Sequence, residues 1–149
     1  MTNLSQVHRL ALVLDTNVVL DWLLFDNPSA ALLAAAIAQR QVRWIATAAM
    51  RGELSEVLRR GLAGQRNADP TLVLAGWDAH AEMIDEPPRL PVAVALPCSD
   101  PDDQKFLDLA HWAGARWLLS RDRAVLRLRR RAATFGIAIA EPERWSLPA

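Results

Sequence analysis

The sequence predicts an α/β sandwich built around a mostly parallel sheet. Three observations carry this: short apolar runs alternate with helical stripes, the first apolar run is continuous rather than alternating, and turn residues separate the segments. A continuous run suits a strand buried on both faces, because a parallel sheet is covered by helices above and below. With 149 residues, 52% of them hydrophobic, and no repeat or linker-like tract, the chain reads as one domain over 1–149.

Residues 10–14 (LALVL) form the first predicted strand, which ends in the carboxylate of Asp15. Asp15, Thr16 and Asn17 supply capping groups for a helix over 18–25, which Asn27-Pro28 stops. Ser29 is expected to cap an alanine-rich helix to about Arg40, and 42–46 is the second strand. Thr47 is the expected N-cap of a third helix, with Met50, Leu54, Val57 and Leu58 on one stripe. Past a loop at 61–67, Asp69-Pro70 joins an N-cap to a proline at the first helical position, opening a helix to about Ile84. Residues 92–96 read as a short strand between Pro91 and Pro97. Asp100-Pro101 opens a helix with Phe106, Leu109, Ala110 and Ala113 on its inner stripe, and Gly114 stops it. A strand at 116–119, a helix at 123–130 and a strand at 137–140 complete the pattern.

Composition narrows the function classes. Cys98 has no partner for an internal disulfide, and without a nearby histidine it reads as inert rather than nucleophilic. The longest apolar run, 30–38, is far short of the roughly 20 residues a bilayer span needs, and no signal peptide is apparent, so the expectation is a cytoplasmic protein with no membrane partner. His8, His80 and His111 do not sit at zinc-ligand spacing. The formal net charge is zero, but residues 67–108 carry nine acids against Arg89 and Lys105, whereas 109–149 carry eight arginines against three acids. An acidic cluster can hold a cation, and the basic run Arg127, Arg129, Arg130 and Arg131 can track a phosphate backbone.

Five acids at four places along the chain concentrate the chemistry. Asp15 follows the first strand, Asp122 follows the strand at 116–119, Glu53 lies beside the apolar stripe of the third helix, and Asp102 and Asp103 open a helix. In open α/β sheets, sites form outside the carboxyl ends of the strands, where these residues fall. Each acid alone has an ordinary structural explanation as an N-cap, a partner of the helix dipole or a solvated helix residue. Together they form a set of carboxylates whose repulsion a cation would relieve. Hard oxygen ligands without His or Cys suit Mg²⁺ or Mn²⁺ and point to phosphodiester hydrolysis.

The segments LVLDTNVVLDWLL (12–24), GELSEVL (52–58), CSDPDDQKFLDLA (98–110) and LLSRDRAVL (118–126) together resemble the PIN domain, and more narrowly its bacterial toxin-component (VapC-like) subgroup. The resemblance covers about residues 10–128. It implies a three-layer α/β/α sandwich and a Mg²⁺- or Mn²⁺-dependent ribonuclease that leaves a 5′-phosphate and a 3′-hydroxyl. The family's acidic quartet falls on Asp15, Glu53, Asp103 and Asp122, with Asp102 and Asp100 as substitutes for Asp103. Asn17 and Ser120 match its polar positions that orient ligands or a phosphate, and Arg121 places a cation beside them. Gln104 stands where relatives often carry a further acid. The resemblance also implies RNA as substrate, a separate antitoxin protein as partner, and a homodimer; Trp22, Trp77 and Trp112 are candidates either for such surfaces or for packing between helices, while Trp44 and Trp117 fall in predicted strands as core.

Two rivals are weaker. A phosphatase or phosphotransferase with Asp15 as covalent nucleophile, in the manner of haloacid-dehalogenase-like proteins, usually carries a second aspartate two positions later, where this chain has Asn17. A PIN-like module that binds RNA or a partner without cutting would usually have lost acids from the quartet, and none is lost here.

Overall fold

The computed structural model describes residues 10–61, 69–88 and 95–148. Its strands are β1 (Ala11–Leu14), β2 (Arg43–Ala46), β3 (Ala81–Met83), β4 (Trp117–Leu119) and β5 (Ala138–Ala140). They form one sheet in the order β3-β2-β1-β4-β5 with every pairing parallel. The helices are α1 (Thr16–Leu23), α2 (Ala31–Ala38), α3 (Ala48–Arg60), α4 (Pro70–His80), α5 (Gln104–Trp112), α6 (Arg123–Leu126) and α7 (Arg129–Ala133). They cover both faces of the sheet, as an α/β/α sandwich requires.

The topology fixes where a site can form. From β1 the chain moves outward through β2 to β3, then returns across the sheet to β4 and continues outward to β5. Connections therefore leave β1 and β4 in opposite directions, which makes the gap at their carboxyl ends the switch point of the sheet. Register holds the two strands level there, with Leu14 opposite Leu119 and the Asp15 N–H donating to the Leu119 carbonyl at 2.9 Å. All four residues of β1 are buried, as the continuous apolar run predicts. Helices α1, α3 and α4 pack on one another, while α5 lies against β1 and β4. Met50, Leu54 and Leu58 of α3 are buried and Val57 packs against them.

Several expectations need correction. The helix that begins at Asp69-Pro70 stops at His80, because Ala81 turns extended and 81–83 pair with β2 as an edge strand. Sheet pairing overrides local helix preference there. It is held by the Arg43–Glu82 ion pair, the Ile84 N–H on the Ala46 carbonyl, and the Trp77 indole N–H on the Met83 sulfur at 3.3 Å. The cap before α2 is Asn27, whose side chain accepts from the Ser29 N–H, while the Ser29 hydroxyl accepts from Arg121. The helix expected at 123–130 is two short helices broken at Arg127 and Leu128, which leaves both Val125 and Ala132 fully buried. On α5, Leu107 is buried in place of Ala113, which is exposed. Of the strand expected at 92–96, residues 92–94 lie outside the described residues, and Ala95 and Leu96 are not in a strand.

The tryptophans divide by position. Trp44, Trp77 and Trp117 are core, and Trp22 packs between Trp44 and His80, whereas Trp112 is exposed. Among the described residues, no single helix is long and apolar enough to cross a membrane.

Candidate metal centre

Three carboxylates converge at the switch point. Asp15 extends from β1, Asp122 follows β4, and Asp103 ends the 3-10 turn Pro101–Asp103 that leads into α5; one oxygen from each lies within 4.8 Å of the others. Asp15 and Asp103 are buried, at 4% and 8% exposure.

Local hydrogen bonding separates these acids from ordinary caps. Asp15 occupies the N-cap position of α1 and Asp103 that of α5, yet neither side chain makes the capping bond. The cap at the Pro101–Asp103 turn is Asp100, which accepts from the Asp102 N–H at 2.9 Å. Asp103 Oδ2 is buried without a hydrogen-bond partner, and so is Asn17 Oδ1 in the first turn of α1. Asp122 does both jobs: one oxygen caps α6 through the Ala124 N–H, and an oxygen also meets the cluster. Ser120, fully buried, joins two of the three, donating to Asp15 Oδ2 at 2.6 Å and accepting from the Asp122 N–H at 2.9 Å.

The electrostatics show the strain of this grouping. Burial raises the Asp15 carboxyl above its ordinary range; Ser120 and the Thr16 backbone N–H oppose the rise, and the charges of Glu53 and Asp122 add to it. Asp103 is pushed up to about 8, first by burial, then by the facing Asp122 carboxyl and by the charges of Asp15, Asp122 and Asp100. A buried acceptor with no donor beside two further carboxylates is a ready ligand for a hard divalent cation, so the donor set fits Mg²⁺ or Mn²⁺.

The remaining predicted residues fall around this centre. Glu53, the fourth acid, stays outside the close triad: one oxygen accepts from the Thr16 hydroxyl and the other from Lys105 Nζ at 2.6 Å. Asp102 is exposed. Arg121 pairs with Asp21 and Glu143 and donates to Ser29 at 2.6 Å, tying α1 and the turns before α2 and after β5 together. Gln104 braces the preceding loop, accepting from the Cys98 N–H and donating to the Leu96 carbonyl. Burial and the nearby acids raise the Cys98 thiol, which disfavours a reactive thiolate. Lys105 is the participant that sequence reasoning missed; its place one turn after Pro101 is visible in the chain, but its partner lies 52 residues away. A cleft of about 680 Å³ lined by Arg40, Arg43, Trp44, His80 and Glu82 sits at the amino ends of β2 and β3, away from the acids at the carboxyl ends.

A parallel α/β/α sheet with an acidic triad at its switch point defines a class of protein suited to metal-assisted chemistry on phosphoryl groups. The profile of the PIN domain matches residues 11–124, and the chain belongs to the PIN domain family. The crystal structure of PAE2754 from Pyrobaculum aerophilum superposes with a TM-score of 0.55 at 20% identity, covering 89% of this chain and 83% of that one, a likeness of fold. No curated protein matches the sequence. PIN domains are generally metal-dependent nucleases, which makes a hydrolase the plausible class for this chain.

Proposed function

We propose that this chain is a divalent-metal-dependent endoribonuclease, and that it serves as the VapC-like toxin of a toxin–antitoxin pair. The observation that carries the nuclease reading is the convergence of Asp15, Asp103 and Asp122, in which the buried Asp15 and Asp103 stand at helix N-cap positions without making the capping bond. These three would hold Mg²⁺ or Mn²⁺. When bound, such an ion supplies Lewis-acid charge stabilisation and a more acidic water.

The chain's own groups set the rest of the site. Ser120 donates to the Asp15 carboxylate, which favours its ionised form and orients it, and accepts from the Asp122 N–H, so one hydroxyl ties the two acids together. The unpartnered Asn17 Oδ1 faces inward from α1 and is suited to orient a ligand or a water. The exposed Arg127, Arg129, Arg130 and Arg131 add positive potential for an RNA backbone, whereas Arg121, one residue from Asp122, is held by Asp21 and Glu143. Exposed Trp112 is a candidate for an antitoxin or homodimer surface. The cytoplasm is the compartment this role requires.

The test is cleavage of a fluorescent single-stranded RNA with Mn²⁺, with Mg²⁺ and with EDTA. Metal-dependent cutting that Asp15→Asn and Asp103→Asn each reduce at least ~100-fold is expected. Absence of cutting together with absence of divalent-cation binding would leave a module that binds RNA or a partner without cutting. For the toxin role, induced expression should arrest growth of the host, and Asp15→Asn should relieve the arrest; equal growth of both strains contradicts it.

A further inference from the structure

We infer that Lys105 takes the place of a second metal ion in this site, holding Glu53 in an ion pair so that Asp15, Asp103 and Asp122 bind a single divalent cation. The inference rests on the metal-dependent reading of the triad and adds to it the number of ions and the residue that sets it.

Three observations carry it. Glu53 is close enough for its charge to act on Asp15, yet both of its oxygens are engaged, by the Thr16 hydroxyl and by Lys105 Nζ at 2.6 Å. The ammonium is itself anchored, donating to the Asp102 carbonyl at 2.5 Å and resting 4.9 Å from the centroid of the Phe106 ring. Its backbone position, two residues after Asp103, ties it to the same turn that delivers a triad ligand. An ammonium has three N–H donors. Glu53 and Asp102 take two, and the third remains to meet a phosphate oxygen, the service a second cation would give.

Charge matching explains the consequence. Four carboxylates gather here, and one divalent cation with one ammonium leaves a small residual negative charge. Without the ammonium, Glu53 and its surroundings would present an uncompensated anionic position that a second divalent cation relieves. Lys105 is thus a positioning residue for Glu53 and a fixed cation that metal exchange cannot remove.

Titration of metal-free protein with Mn²⁺ by calorimetry tests this without any need for turnover. Wild type is expected to bind one ion, Lys105→Met two, Lys105→Arg one, and the double variant Lys105→Met/Glu53→Gln one again, since the added site requires the freed carboxylate. Glu53→Gln by itself should weaken the single ion by no more than about tenfold, the low end for a group beyond the ligands. Two ions in wild type, or one in a folded Lys105→Met, overturns the inference while the nuclease reading stands. A loss above about a hundredfold in Glu53→Gln also overturns it, and that variant does not depend on how Lys105→Met folds. Absence of binding to wild type removes both readings together.

Discussion

Ser120 is fully buried and spends its hydroxyl on two neighbours, the Asp15 carboxylate and the Asp122 N–H. Replacing it with alanine takes the partner from Asp15 Oδ2 and from the Asp122 N–H, which costs roughly 1–3 kcal/mol in stability. It also removes a bond that keeps the Asp15 carboxyl from rising further. Ser120→Ala is therefore expected to weaken divalent-cation binding more at a lower pH than at a higher one, because protonation of Asp15 competes with the ion as pH falls. Calorimetry at the two pH values checks this, and equal weakening at both would contradict it. At this scale the sequence is informative where local pattern and chemistry coincide. Asp15 is visible because an apolar strand ends in a charge, and Asp122 because it follows another strand. Lys105 and the true state of Glu53 are hidden, since their contact joins α5 to α3 across the fold and no local spacing encodes it.

Helix α5 delivers Asp103 at one end and reverses into β4 at the other through Gly114, whose φ is +65°. A Cβ there meets no neighbouring atom within 4 Å, so the penalty of Gly114→Ala is backbone strain without a clash. About 1–2 kcal/mol of destabilisation is expected, read as a lower urea midpoint with unchanged slope. Leu54→Ala on α3 should cost more, about 2–5 kcal/mol, because the side chain is wholly buried and a cavity remains; a change below about 1 kcal/mol would contradict the packing described. The Asp69, Asp100 and Thr47 caps and the α3 stripe were legible because capping and helical periodicity are local rules. Strand β3 was not, since Ala81–Met83 continue a helix-compatible sequence and become extended only because β2 offers a paired edge. The break between α6 and α7 was likewise set by the burial of Val125 and Ala132, which an arginine-rich stretch does not announce.

Across the whole molecule, the triad is a local liability that the fold tolerates for the chemistry it permits. Asp103 titrates at about 8 in the metal-free fold and at 3.8 when unfolded, so ionisation favours the unfolded chain. The sign follows: the contribution is fully present below about pH 4 and is lost progressively as pH rises to about 8. The Tm of metal-free wild type should fall across that window relative to Asp103→Asn, and Mn²⁺ at pH 8 should raise the wild-type Tm with little effect on the variant. Parallel pH dependence of the two proteins would contradict this. The parallel sheet and the edge at which its acids gather were both readable from the order of apolar runs and carboxylates; which acids touch was not, because that depends on register and on the seating of α5. The most direct measurement is anomalous scattering from crystals soaked in Mn²⁺. The account predicts a peak bonded to carboxylate oxygens of Asp15, Asp103 and Asp122; Mn²⁺ bound elsewhere, with the triad bare, would contradict it.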